Sequence, residues 1–141
     1  GKASLLWARN KQVNDWLIGM PSHRVSGELN YQLADKGKFS ETSIGLEVPV
    51  VFRQTRFPDE NVHGRQDYKA PPAGYTLVHL QLSSTVQLGR IPATLGIGVR
   101  NLLNTTYRDY LNSFRYFTDE MGRDINFRIK IPISNKNKSH T

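Results

Sequence analysis

Alternation of apolar and polar residues is the strongest pattern in this chain. Leu95, Ile97 and Val99 alternate with small or polar residues, and the run from Ile125 to Ile133 repeats the pattern around Asn126, Arg128 and Lys130. Successive side chains of a β-strand point to opposite faces, so each run predicts a strand with one apolar and one polar face.

Four earlier segments show the same period. The pattern predicts strands over residues 2–10, 25–33, 43–53, 75–88, 93–100 and 125–133. Pro49 lies inside the third strand, where in a soluble sheet it would suggest an edge or a bulge because proline cannot donate to a ladder. The predicted fold is all-β, an antiparallel up-and-down meander of about six amphipathic strands.

The connections between these strands alternate in length. Long ones, over residues 11–22, 54–74 and 104–123, follow the first, third and fifth strands, and short ones, over 34–42 and 89–92, follow the second and fourth. All long loops therefore fall on one side of the sheet. Loops of about twenty residues are unusual inside compact soluble domains, whereas long outer loops with short inner turns are typical of outer-membrane barrels.

Composition excludes several classes of protein and of binding site. The 141 residues include no cysteine, which excludes disulfides and thiolate metal sites, and no segment has the roughly 20 apolar residues that a spanning helix needs. The net charge of +7 favours either an anionic partner or basic residues that line a polar lumen and loops. We favour the lumen and expect no nucleic-acid partner.

The strand count sets a further constraint. Single-chain outer-membrane barrels need at least about eight strands, and an open sheet in lipid would leave backbone groups unpaired at its edges. Six strands therefore predict a part of a larger barrel or one member of an oligomeric barrel. Because the sequence begins at Gly1 without methionine, we expect a removed leader or a piece of a longer chain.

Several motifs resemble those of TonB-dependent outer-membrane receptors. The run from Gly98 to Tyr107, GVRNLLNTTY, is similar to their penultimate strand, with Leu103 where phenylalanine is commoner. Pro72–Leu77, PAGYTL, resembles the start of the preceding strand, and Gly122-Arg123 resembles the opening of the last one. The likeness is best over residues 72–133.

The resemblance implies the last six strands of a barrel of about 22 strands in the bacterial outer membrane. Residues 1–133 would form barrel wall and 134–141 a polar tail, which departs from the family's usual terminal aromatic residue. The implied partners are outer-membrane lipid, the rest of the parent barrel with its plug domain, and a nutrient such as a ferric siderophore. The TonB energy-transducing complex is a further implied partner, which the parent protein would contact through an N-terminal part that is missing here.

Two sets of residues are candidates for function. Aromatic and basic residues in the outer loops are candidate ligand contacts, because arginines and aromatic rings together can hold an anionic ligand: Arg56, His63, Arg108, Tyr110, Arg115 and Tyr116. An interfacial aromatic girdle together with loop packing is the alternative, which we favour. The polar strand faces predict lumen-facing side chains at Glu47, Gln81, Arg100, Arg128 and Lys130.

Catalysis and cofactor binding are not predicted. The four histidines lack the spacing of metal motifs, and the carboxylate pairs are sequence neighbours in loops, where they seldom face each other across a substrate. A second hypothesis remains open: a soluble six-stranded barrel or sandwich that binds a hydrophobic or anionic ligand, with its apolar faces turned inward. Strand periodicity is the same in the membrane-barrel and the soluble hypotheses, so it cannot distinguish them.

Overall fold

A computed structural model describes residues 1–12, 15–17, 19–57, 71–89 and 91–132. These residues form nine strands and one short 3-10 helix, Ser113–Tyr116, without an α-helix among them. The strands are β1 Lys2–Ser4, β2 Arg9–Asn10, β3 Asp15–Trp16, β4 Arg24–Gln32, β5 Phe39–Val51, β6 Tyr75–Thr76, β7 His79–Leu88, β8 Ile91–Arg100 and β9 Asp124–Lys130.

Seven of these strands form one antiparallel sheet. Its order is β1-β4-β5-β7-β8-β9, with β6 also paired to β5, while β2 and β3 pair only with each other. Neighbours in the main sheet follow one another along the chain, so the predicted all-β antiparallel meander is confirmed. The short connections after β4 and β7 lie at one end of the sheet, and the long connections after β1, β5 and β8 leave from the other.

The first predicted strand, 2–10, is wrong in its extent. Only β1 joins the main sheet, whereas β2 turns back on β3 inside the predicted loop 11–22. The Arg9 guanidinium lies 4.5 Å from the centre of the Trp16 ring, a cation–π contact that holds this small hairpin. Alternation alone could not separate the two short strands.

The fourth predicted strand, 75–88, is interrupted between β6 and β7. The interruption lies opposite the end of β5, where Pro49 has no N–H to donate. Leu77 N–H instead donates to the Pro49 carbonyl oxygen at 3.0 Å. The proline is thus accommodated inside the sheet by a local break in its neighbour.

The remaining bounds differ at strand ends. β5 begins before the predicted 43–53 and contains a bulge between Ser40 and Ser43, where Glu41 has a left-handed φ of 51°. β8 begins at Ile91, and β9 ends at Lys130 rather than residue 133, which lies outside the described residues. None of these shifts changes which side chains share a face.

Gly74 packs too closely on the end of β5 to accept a side chain. A Cβ there would lie 2.7 Å from the Val51 carbonyl oxygen and 2.9 Å from Arg53 N, both backbone atoms. We expect Gly74→Ala to lower the free energy of unfolding by about 1–3 kcal/mol, as overpacking does. Gly27→Ala is the control, because nothing lies within 4 Å of its Cβ position. Urea unfolding followed by circular dichroism in detergent measures both, and equal losses would contradict the contact.

Candidate functional site

The five side chains predicted to face a lumen share one face of the sheet. Directly opposite residues of antiparallel strands lie on the same side, and the register links β5, β7, β8 and β9 in this way. Glu47, Gln81, Arg100, Arg128 and Lys130 therefore lie on one polar surface, which we call the polar face.

The polar face is hollowed, and we call it the concave face and the opposite face the convex face. Two depressions, of about 340 and 750 Å³, lie along it and share several lining residues. One row of opposite residues crosses both of them: Asn30, Gly45, Gln81, Gly98 and Asn126. Water and polar solutes can therefore reach side chains from five neighbouring strands within one hollow.

Glycines make room for amide side chains on this concave surface. A Cβ at Gly45 would lie 2.8 Å from Asn30 Oδ1, and one at Gly98 would lie 2.8 Å from Asn126 Oδ1. Large and absent side chains thus alternate across the row. The same alternation fits side chains into the narrow interior of small barrels, where neighbouring strands converge.

The opposite, convex face is apolar and uncovered. Two rows of opposite residues cross it: Leu29, Leu46, Leu80, Val99 and Ile125, and Tyr31, Ile44, Leu82, Ile97 and Phe127. Leu29 is 67% exposed and Phe127 75% exposed. Among the described residues no second layer packs on this face, so the sheet is a single layer with one apolar and one polar surface.

Asn101 ends β8 and redirects the chain into the loop 101–123. Its φ is +50°, a left-handed conformation that asparagine tolerates better than most residues. The side chain is 3% exposed, donates to the Thr105 carbonyl oxygen at 2.9 Å and accepts from Thr105 N–H at 2.8 Å. Its own N–H donates to His79 Nδ1 at 3.1 Å, which places the imidazole proton on Nε2.

Asn104 closes the same loop at its base. It also has a left-handed φ, of 55°, and its Oδ1 accepts from Arg123 N–H at 2.9 Å, just before β9. The two asparagines of the Gly98–Tyr107 run therefore hold the start and the end of the loop together. Backbone conformation and hydrogen bonding therefore explain why asparagine occupies both positions.

Two tyrosines join this loop to the beginning of β6. The Tyr75 and Tyr107 rings are 4.3 Å apart, and Tyr75 OH donates to Asp109 Oδ2 at 2.7 Å. Burial, and then the negative charge of Glu120, raise the pKa of Tyr107. Burial, and then the hydrogen bond to Asp109, raise the pKa of Tyr75 as well. Both phenols thus stay neutral at physiological pH, and the contact depends on the tilted ring pair and the hydrogen bond rather than on charge.

The structure brings Arg108, Tyr110, Arg115 and Tyr116 together as a self-contained cluster. The Arg115 guanidinium lies 4.5 Å from the Tyr110 ring centre and 4.6 Å from that of Tyr116, and it donates to the Tyr110 carbonyl oxygen and to Tyr116 OH. Arg108 pairs with Asp119 and donates to the Arg115 carbonyl oxygen. Because these cations bind within the loop, the geometry favours loop packing over a ligand platform.

Arg56 lies in a second cluster at the end of the sheet from which the long loops leave, and His63 lies outside the described residues. Arg56 is 8% exposed and its guanidinium is 5.4 Å from the Trp7 ring centre. The anchor of this cluster is Gln54, 1% exposed, which donates to the Met20 and Pro21 carbonyl oxygens at 2.7 and 3.1 Å. No sequence signal marked Gln54, because its role depends on contacts more than thirty residues away.

His23 connects this cluster to the segment after β1. Leu6 N–H donates to His23 Nδ1 at 3.4 Å, and the Trp7 and His23 rings are 4.9 Å apart. Desolvation, and then the charge of Arg56, lower the pKa of His23 from its ordinary value of 6.5. The neutral imidazole is the form that can accept the Leu6 hydrogen bond.

The Trp7 fluorescence of a Trp16→Phe variant should therefore fall as the pH is lowered, because protonated imidazole quenches a neighbouring indole. The midpoint should lie below 6.5, since the lowered pKa delays protonation. His23→Gln in the same background is the control and should show no such transition. A midpoint above 6.5 would contradict the environment described for His23.

No three His, Cys, Asp or Glu side chains come together as a metal site among the described residues. No helix among those residues is long and apolar enough to cross a membrane. Comparisons with protein-family models, curated proteins and solved structures gave no match to this chain.

Proposed function

We propose that this chain is the C-terminal wall of a TonB-dependent outer-membrane transporter that takes up a large, scarce nutrient such as a ferric siderophore. The observation that carries the proposal is the single-layer sheet, concave and polar on one side, convex and apolar on the other. A bilayer supplies the cover that the apolar face lacks, and a water-filled lumen supplies the surroundings of the polar face.

Strand lengths support a membrane-spanning role. β7 and β8 contain ten residues each, and β4 contains nine. A transmembrane strand tilted by about 45° needs about 9–11 residues. The apolar rows continue across five neighbouring strands, which is the arrangement expected of a continuous apolar band against lipid.

The loops support an orientation. The long connections leave one end of the sheet, and the short ones close the other, as in barrels whose long loops are extracellular. The resemblance of the Gly98–Tyr107 run to TonB-dependent receptors supports the choice of this family among outer-membrane barrels. In this proposal the chain supplies wall, lumen lining and outer loops, catalyses nothing, and meets the plug domain and the TonB complex through other parts of the parent protein.

The soluble alternative needs the apolar faces to turn inward and close a core. The described strands instead carry depressions along their polar face, and their apolar face stays exposed. Among the described residues the buried apolar side chains are few: Met20, Val51, Pro71, Leu77, Ala93 and Tyr110. Ala93 lies near the short turn before β8 and the others near the long loops, so they do not form the continuous core that a sandwich needs.

Alternate positions along β7 test the proposal. Because the chain has no cysteine, single cysteines at Leu80, Gln81, Leu82 and Ser83 can each carry a fluorophore in phospholipid vesicles. We expect lipid-attached quenchers to act on positions 80 and 82 and aqueous iodide on 81 and 83. Quenching without this alternation, or with the reverse pattern, would refute the assignment of the two faces.

A further inference from the structure

A small cavity lies at the base of the loop 101–123. Its volume is about 240 Å³, and all of its lining residues lie between Leu77 and Asp124. They come from the segment before β7, the first residue of β7, the end of β8, the loop and the start of β9. One stretch of the chain therefore builds the whole cavity, and its walls do not depend on a strand that pairs with the other edge of β9.

The two arms of the loop are joined beside this cavity. Glu120 N–H donates to the Tyr107 carbonyl oxygen at 2.9 Å, and both residues line the cavity. Gly122 packs closely on Asn104, since a Cβ at Gly122 would lie 2.8 Å from Asn104 Oδ1. The lining residues of the loop are thus held in place before any ligand binds, which lowers the entropy that binding must cost.

Opposite charges line the cavity without neutralising each other. Arg100 and Asp124 are directly opposite on neighbouring strands, but no ion pair joins these two described side chains. Glu120 Oε1 accepts from Asn112 Nδ2, and no hydrogen bond from a described residue reaches Glu120 Oε2. One guanidinium and two carboxylates therefore remain available around a single cavity.

His79 adds a second donor beside Arg100. Leu80 lies opposite Val99, so the register places His79 opposite Arg100, and both residues line the cavity. Because His79 Nδ1 accepts the Asn101 N–H, the imidazole carries its proton on Nε2. No described residue accepts that Nε2–H. A guanidinium and a neighbouring imidazole N–H together suit a carboxylate.

Apolar surface completes the lining. Leu77, Tyr107 and Met121 contribute it, and Leu77 is buried beneath the loop base. Pockets that combine apolar walls with a few convergent polar groups are typical of sites for small molecules. The walls thus offer donors for an anion, carboxylates for a cation, and an apolar patch within one small volume.

We propose that this cavity binds a free α-amino acid with an aliphatic side chain. Arg100 and His79 bind the carboxylate of the amino acid. Glu120 and Asp124 bind its ammonium group, and the apolar walls contact its side chain. Every residue of this site belongs to the base of one loop, so the site does not depend on the proposed transport role.

Equilibrium dialysis in a non-ionic detergent at neutral pH tests the need for both charges. The ligands are radiolabelled L-leucine, N-acetyl-L-leucine, which lacks the ammonium group, and isopentylamine, which lacks the carboxylate. We expect leucine to bind at least about ten-fold more tightly than either analogue, because each analogue loses one set of charged hydrogen bonds. No bound leucine, or equal affinity for all three ligands, would overturn the proposal.

Two variants assign the charges to their partners. Arg100→Gln should weaken leucine binding about ten-fold and leave isopentylamine binding unchanged, since that ligand has no carboxylate. Asp124→Asn should weaken leucine binding and leave N-acetyl-leucine binding unchanged, and the retained analogue shows that each variant is folded. Glu28→Gln removes a carboxylate from the polar face outside this cavity and should bind leucine normally. An equal loss in Glu28→Gln, or leucine binding unchanged in Arg100→Gln, would refute the assigned site.

Discussion

Replacing Leu82 by arginine should strongly reduce insertion of this chain into phospholipid vesicles. Leu82 lies in the middle of the convex face, 38% exposed, with Ile44 and Ile97 on either side. An arginine on the lipid face near the midplane of a membrane barrel costs about 2–4 kcal/mol. The inserted fraction at a fixed lipid concentration, measured by vesicle flotation, should fall accordingly.

Ser83→Arg is the matched control for Leu82→Arg. Ser83 is the next residue of β7 and lies on the polar face, where a charged side chain would remain in water. We expect its insertion to stay close to that of the unaltered chain. Similar losses for both variants would indicate that either face can be in contact with lipid, and the assignment of the faces would fail.

Among substitutions near the long loops, Asn101→Ala should lower the free energy of unfolding the most. It removes two hydrogen bonds of a buried side chain and leaves the Thr105 N–H and carbonyl groups without these partners. Thr105 is half-buried, so the loss of these partners costs at most the roughly 1–3 kcal/mol of a fully buried unsatisfied group. A left-handed alanine at φ +50° adds about 1–2 kcal/mol of backbone strain.

Asn101→Gly separates the two contributions. Glycine adopts the left-handed conformation without steric cost, so this variant loses the hydrogen bonds but not the backbone fit. We expect Asn101→Ala to unfold at a lower urea concentration than Asn101→Gly, and both at a lower concentration than the unaltered chain. Identical midpoints for all three chains would contradict the role described for Asn101.

Strand positions and faces were predictable because they depend on local alternation. Every second residue of a strand lies on the same face, and this alternation is visible in the sequence. It places five predicted side chains on one face: Glu47, Gln81, Arg100, Arg128 and Lys130. Strand bounds were less predictable, since they depend on neighbours. The break after β6 follows from Pro49, which lies on the adjacent strand and far away in sequence.

For the two loop clusters, around Arg115 and around Gln54, the sequence predicted which residue types are present but not which contacts they make. The sequence indicated an accumulation of arginines and aromatic residues, but whether Arg115 meets a ligand or the Tyr110 and Tyr116 rings depends on how the loop turns. Gln54 was missed for a related reason. Its hydrogen bonds reach the Met20 and Pro21 carbonyl groups, and such long-range backbone contacts leave no pattern in sequence.

The most direct test of a lipid-covered apolar face is the behaviour of the 141-residue chain with and without detergent, measured by light scattering after size-exclusion chromatography. The account predicts that the folded chain stays dispersed only when detergent covers the convex face, and precipitates or aggregates when detergent is removed. A folded, monodisperse monomer in water alone would contradict it, because the apolar side chains would then have to be covered by the chain itself.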